Sequence, residues 1–332
     1  MATYVDSNLN DPSLFFEAVT YTGNTSSGTT NNDLSFQPNM VWFKSRTQAE
    51  NHQIYDSVRG ATKRLVVNGN QAEATASTGL TSFDSDGFTT GGENETDSGN
   101  IVAWCWKESA TAGFDIVLYT GNGSNRTIAH GLSAKPDMII AKSRSNVLNW
   151  KVGHEGLAGA GAGWTNYINM DESNAKGTHS TTWQDTAPTS SVWSLGTSNL
   201  NTDTYTYVAY LFAPKQGFSK FSSFVGSGSS DGPFCFCGFK PAWLMIKRSS
   251  DGTNSWEIRD NKRDSFNTAD DRLFADLSNA EDSDNEGIDF LSNGFKIRNT
   301  GAGCNASGVT YIYMAFAEAP FVNSNGVPCN AR

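Results

Sequence analysis

The stretch FQPNMVWFKSR (36–46) sets a proline six residues before a lysine, with an almost wholly apolar run between them. The arrangement returns in LSAKPDMIIAKSR (132–144) and in FKPAWLMIKRS (239–249). The register extends outward from there. Gly23, Gly121 and Gly226 each stand fifteen residues before Pro38, Pro136 and Pro241, and Lys44, Lys142 and Lys247 each stand six after. VTYTGN (19–24), VLYTGN (117–122) and SSFVGSG (222–228) match on one side. IVAWCW (101–106), YVAYLF (207–212) and IYMAFA (312–317) match at the far end, where Ala103, Ala209 and Ala315 are 106 residues apart. A module of about 100 residues, an ordinary domain size, is therefore written three times.

The runs VWFK (41–44), IIAK (139–142) and LMIK (244–247) are too short for helices and read as strands buried on both faces. The proline is placed at the start of such a strand, where no ladder bond is lost. The lysine is expected where the strand leaves the core and its head group returns to water. NHQIYDSVRG (51–60), NWKVGHEG (149–156) and SWEIRDNKR (255–263) alternate like a following strand. SDGF (85–88) and SNGF (292–295) suit tight hairpins. With 32 Gly and abundant Ser, Thr and Asn, the chain reads as all-β. The expected division is an N-terminal tail 1–13, sandwich repeats 14–108, 109–216 and 217–321, and a C-terminal tail 322–332. Gly23, Pro38, Lys44, Gly121, Pro136, Lys142, Gly226, Pro241 and Lys247 are markers of the repeated core. Three such units can close into a compact pseudo-threefold cluster, with the two tails as anchors.

The net charge of −10 comes without a Lys/Arg cluster, which argues against nucleic acid as a partner. No apolar segment is long enough for a membrane span, and the polar start MATYVDSNLNDPS lacks a secretory pattern. Five cysteines (105, 235, 237, 304 and 329) at irregular spacing are expected to be free, buried thiols.

Residues that could carry chemistry are scattered. His52, His130, His154 and His179 have no partner at metal-ligand spacing. GLAGAGAGW (156–164) lacks the Lys-Ser/Thr ending of a phosphate loop and reads as a flexible Gly/Ala loop. Asp282, Asp284 and Glu286, followed by Gly287, resemble the opening of a calcium loop, but Asn293 holds the twelfth position, where a bidentate Glu is needed. A solvated acidic loop is the expectation there, with calcium as the alternative. Trp164 and Trp183, in loop-like text, are candidates for stacking on sugar rings. Arg46 and Arg144 follow the lysine in two units, and Ser249 replaces them in the third, which speaks against a shared ionic site. Five N-x-S/T triplets, at Asn24, Asn94, Asn122, Asn125 and Asn305, carry no weight in so Asn- and Ser-rich a chain. No catalytic residue and no cofactor is assigned, and no enzyme activity is expected.

LFFEAVTYTGN (14–24), FQPNMVWFKSR (36–46), NHQIYDSVRGATKRLVVN (51–68), FDSDGF (83–88) and IVAWCWK (101–107) resemble a repeat of structural proteins of tailed phages, marine and cyanobacterial ones especially. VLYTGNGSNRTIAHGL (117–132) and KPDMIIAKSR (135–144) carry the likeness in the second unit. The third unit departs from it, with Gly-Ser for Gly-Asn and RDNKRDS (259–265) for Asp-Ser-Val-Arg-Gly. The resemblance implies a virion component built of jelly-roll-like β-sandwiches, made in the host cytoplasm and carried on the particle's exterior. The expected function is a capsid decoration, or head knob, with the major capsid protein or other virion proteins as partners. The alternative is a tail-associated receptor-binding protein that recognises host-surface carbohydrate. The repeats leave no length for a fibre stalk, which favours the head.

Overall fold

A computed structural model describes residues 6–157 and 164–330. The protein is all-β. The first unit holds β1 (Phe16–Thr22), β2 (Thr30–Asn31), β3 (Met40–Ser45), β4 (Gln53–Asp56), β5 (Lys63–Val66), β6 (Ala74–Thr75), β7 (Leu80–Asp84), β8 (Gly87–Thr90) and β9 (Asn100–Trp106). The second holds β10 (Phe114–Thr120), β11 (Arg126–Ala129), β12 (Met138–Ser143), β13 (Lys151–His154), β14 (Asn166–Asn169), β15 (Gly177–Thr178), β16 (Val192–Leu195) and β17 (Thr206–Phe212). The third holds β18 (Ser219–Val225), β19 (Phe234–Phe236), β20 (Phe239–Arg248), β21 (Glu257–Asp260), β22 (Ala269–Phe274), β23 (Asp282–Leu291), β24 (Gly294–Ile297) and β25 (Thr310–Pro320).

The pairing repeats as the sequence does. The main sheets run β1-β9-β3-β4-β5-β6, β10-β17-β12-β13-β14-β15 and β18-β25-β20-β21-β22, so each unit's first strand pairs with its last. The early strand of each unit joins a second layer: β2 pairs with β8, β11 with β16, and β19 with β24. In the third unit β22 continues into β23, and one eight-stranded sheet wraps through both layers.

The proline-to-lysine strands are buried on both faces, as their composition requires: all six residues of β3 and of β12 are buried. Pro38 and Pro136 precede their strands by two residues, whereas Pro241 lies inside β20. There the ladder breaks register on both sides of it, a bulge that tolerates the missing N–H. Beyond the bulge the closing strand keeps the register of the other units: Trp106, Phe212 and Phe316 lie opposite Met40, Met138 and Trp243, each two residues after its proline. Ala103 and Ala209 lie opposite Phe43 and Ala141, but Ala315 lies opposite Leu244. The counterpart of Ala103 and Ala209 is therefore Tyr313, opposite Ile246, and the equal spacing to Ala315 does not mark an equivalent place in the sheet.

Gly23, Gly121 and Gly226 share one cause. A Cβ at each would lie 2.3, 2.0 and 2.3 Å from the carbonyl oxygens of Asp97, Thr202 and Ala306, just ahead of the closing strand. In the hairpins, Asp84 pairs with Gly87 and Leu291 with Gly294, so the turns themselves are Ser85–Asp86 and Ser292–Asn293. The glycines are required by the neighbouring strand instead: a Cβ would lie 1.7 Å from the Asn31 oxygen and 2.1 Å from that of Cys235.

Each sandwich has its own core, formed around Val41, Phe43 and Phe88, around Ile139, Trp193 and Leu211, and around Leu244, Phe290 and Phe295. The other face of each main sheet enters a fourth core that all three units share. Trp106, Phe212 and Phe316 occupy equivalent registers and meet there, with ring centroids 5.7 Å apart for Trp106 and Phe316 and 6.0 Å for Phe212 and Phe316. The remaining gap at the centre, between Met40, Trp42, Ile140, Tyr210, Trp243 and Met314, measures about 10 Å³. That is scarcely room for one water, so the three faces are closely fitted.

The described residues of the two tails are held by the body and by each other, and Cys329 Sγ lies 3.1 Å from the Ser292 carbonyl. Asp6 and Asp11 cap two short 3₁₀ turns, Leu9 is buried in the shared core, and the Asn10 side chain bonds Ser324. Among the described residues no helix is long and apolar enough to cross a membrane.

Candidate functional site

The units close into a ring, and equivalent positions make the contacts at each seam. Trp150 Nε1 donates to the Val66 carbonyl (2.8 Å) and Trp256 Nε1 to that of Asn169 (2.9 Å), while His52 stands in the third such position beside the Phe274 carbonyl. Backbone N–H groups of Glu73, Lys176 and Glu281 donate across the seams to the carbonyls of Arg144 (2.8 Å), Ser249 (3.1 Å) and Arg46 (2.7 Å).

Two seams carry the same buried ionic network. Between the first and second units, Arg59 pairs with Asp56 (2.5 Å) and Glu73 (3.2 Å), Arg144 closes on Glu73 (2.8 Å), and Tyr210 Oη donates to Asp56 (2.7 Å). Between the third and first, Arg263 pairs with Asp260 (2.6 Å) and Glu281 (2.9 Å), Arg46 closes on Glu281 (2.6 Å), and Trp104 Nε1 donates to Asp260 (2.9 Å). Arg59 and Arg263 side chains are fully buried, and burial opposes their charge while the facing carboxylates sustain it. The remaining seam has His154, Leu157, Lys176 and Ser249 at the corresponding places. His154 Nε2 lies 3.1 Å from the Tyr313 carbonyl and its Nδ1 accepts the Gly156 N–H at 2.9 Å. Burial pushes this imidazole down to about 4, which keeps it neutral. The loss of Arg at position 249 thus belongs to a concerted change at one seam, and the ionic site is shared by the other two.

The marker lysines correct the expectation that they return to water. Lys44, Lys142 and Lys247 are fully buried. Lys142 Nζ bonds the carbonyls of Ser143, Leu148 and, across the seam, Asn70. Lys247 does the same with Arg248, Asn254 and Ser173. Lys44 bonds Ser45 and Gln48. Burial pushes all three ammonium groups down to about 8. A buried ammonium is stable only when its donors are met, and loop carbonyls meet them.

Trp164 and Trp183 are 3% and 1% exposed and pack edge to face at 5.7 Å inside the second sandwich. Neither offers a face to a sugar. They fill the space over Gly153, where a Cβ would lie 2.4 Å from Trp164. The acidic run is part of strand β23 rather than a loop, and Asp282 pairs with Arg272 at 3.0 Å. That extended backbone lacks the turns a calcium loop needs. The side chains of Asp284 and Glu286 lie outside the described residues, as do residues 158–163 of the Gly/Ala stretch. Asp264, Asp270 and Asp271 bring carboxylates within 4.8 Å of one another, but Asp264 already accepts the backbone N–H groups of the other two at 2.7 Å. The five cysteines are free, and all but Cys329 are buried.

One open pocket of about 350 Å³ lies in the second unit, lined by Lys151, Tyr167, His179, Thr182, Thr197, Ser198 and Asn199. Lys151 is buried at its base, 2.8 Å from Asn169 Oδ1 and 3.8 Å from the Tyr167 ring centroid. Burial lowers its pKa, and the nearby charges of Glu172 and Asp171 act against that. No signal in the sequence marked this place, because its lining comes from four separate segments.

No curated protein and no solved structure matches the chain. A family profile, described as a domain of unknown function (DUF7483), matches residues 11–320 and so runs through all three units. The chain belongs to that family.

Proposed function

We propose that the protein is a non-enzymatic structural component of the exterior of a tailed phage, a decoration of the capsid. The observation that carries this reading is the closed ring of three equivalent units around one shared core. A single chain with that pseudo-symmetry matches a threefold or sixfold position of a shell without itself being a trimer. Its buried charges are paired at the seams, and Arg144 and Arg46 extend the pairing across them, which suits a rigid body more than a reaction cleft. The resemblance to phage structural proteins points the same way. Antibody labelling of intact particles in electron microscopy tests it. Label over the whole head supports decoration, and label confined to the tail tip overturns it. The polar pocket of the second unit favours a second reading, a tail-associated protein that binds host carbohydrate. Tail-tip label together with binding to host envelope glycan supports that reading.

A further inference from the structure

We infer that the open pocket of the second unit binds a small carboxylated saccharide, whose carboxylate stands where the other two units supply a carboxylate of their own. The register makes the three places comparable. Gln53, Lys151 and Glu257 lie opposite Phe43, Ala141 and Ile246 on the proline-to-lysine strands. Tyr55, Gly153 and Arg259 follow two residues on, and Arg64, Tyr167 and Arg272 face them from the next strand.

In the first unit this place is filled. Arg64 pairs with Glu93, and Tyr55 Oη lies 2.5 Å from Gln53 and 3.3 Å from Glu93. In the third unit it is filled again: Arg259 pairs with Glu257 at 2.7 Å, and Arg272 with Asp282 at 3.0 Å. In the second unit Gly153 has no side chain and the space over it is taken by Trp164 and Trp183, and among the described residues no carboxylate lines the pocket. Glu172, whose charge acts on Lys151 together with that of Asp171, is bound by the side-chain amides of Asn149, Asn169 and Asn174. Among the described residues Lys151 therefore holds its buried positive charge against one neutral acceptor and a ring face, with no carboxylate bonded to it directly, where its equivalents belong to networks completed by acids. A buried charge in such a setting is stabilised by an opposite charge, and a ligand carboxylate supplies it.

The rest of the lining asks for hydroxyl groups. Among the described residues the side chains of Thr182, Thr197 and Asn199 make no hydrogen bond, and His179 uses only Nδ1, toward Thr181. These groups both donate and accept, as sugar hydroxyls do. The volume lies at the small end of ligand pockets, which suits a sugar ring with its substituents rather than a long chain.

This deepens the second reading above, yet its test in solution is independent of where the protein sits on a particle, so either can fail alone. The whole chain is titrated by calorimetry with glucuronate, galacturonate and N-acetylneuraminate, and in parallel with glucose, galactose and sodium sulfate. At least one acidic sugar is expected to bind, roughly tenfold or more tighter than neutral sugar and than sulfate. Lys151→Gln, which installs the residue of the first unit, is expected to keep the unfolding midpoint and to lose that margin. Thr197→Trp, at an exposed position of the rim, is expected to block binding. The inference is overturned if no acidic sugar binds, if sulfate binds as tightly, or if both variants bind like the parent chain.

Discussion

Two seams of this molecule are ionic and one is not, and the contrast shows how a threefold plan can diverge without opening. At the ionic seams, Asp56, Arg59, Glu73 and Arg144 correspond to Asp260, Arg263, Glu281 and Arg46, within a few tenths of an ångström in most contacts. At the third seam, His154, Leu157, Lys176 and Ser249 replace all four. Partial replacement would strand a buried charge, which is the costly outcome; replacement of all four, by neutral or apolar groups and by a lysine that is exposed, is not. Leu157 joins the shared core, Lys176 Nζ turns to the Leu157 carbonyl (2.9 Å), and the backbone bond from residue 176 to residue 249 survives. The ring geometry is therefore set by the backbone and the shared core, and the ions are one way of filling the seam.

The largest effect that can test this comparison is at Asp56. Asp56→Ala leaves Arg59 buried without its nearest carboxylate and the Tyr210 hydroxyl without its acceptor. Urea unfolding is expected to show a loss of about 3–5 kcal/mol. A loss below about 1 kcal/mol would mean that the network adds little to the seam. The converse change is His154→Asp. Alone it buries a carboxylate beside the Tyr313 carbonyl and is expected to destabilise by about 3 kcal/mol. Combined with Leu157→Arg, Lys176→Glu and Ser249→Arg, it rebuilds the network and most of the loss should return. If the fourfold variant is worse than the single one, the seams are not interchangeable.

Lys142→Met is expected to have a smaller effect. Three carbonyls lose a donor, a loss of about 1–3 kcal/mol each way of counting, but the burial penalty of the ammonium disappears with it. A net loss of about 2 kcal/mol in the same denaturation assay is the expectation. The gentlest probe is pH. His154 is held near 4 in the fold against about 6.5 when unfolded. Between those values the unfolded chain binds the extra proton, so this stability is complete above pH 6.5 and is lost as pH falls toward 4. The slope from this residue approaches about 1.4 kcal/mol per pH unit. His52, also lowered by burial, adds in the same direction. His154→Gln should flatten the profile in that window, and an unchanged profile would remove His154 from the account.

Much of the fold was legible because the repeat is written in apolar spacing. The runs at 41–44, 139–142 and 244–247, the strands after them and both hairpins follow from local pattern. Three things were hidden for a common reason. The lysines read as strand ends because the carbonyls that satisfy them come from loops, in two cases from another unit. Trp164 and Trp183 read as loop residues because only the glycine at position 153 makes room for them. The shared core leaves no trace in a strand already apolar on both faces, since its second partner is named nowhere nearby. The ionic seams were partly readable: Asp-x-x-Arg at 56–59 and 260–263 against His-x-x-Leu at 154–157 is a signal once the units are aligned. The pocket of the second unit left none, because its meaning lies in an acid that is absent at one place and present at two.

Three modules fold as one body around a common core. Unfolding of the whole chain in a scanning calorimeter, with tryptophan fluorescence followed in parallel, tests it most directly. A single transition is expected, with both probes coincident and the calorimetric enthalpy equal to the van't Hoff value. Two or three separated transitions would show units that stand alone, and would contradict the shared core as the source of stability.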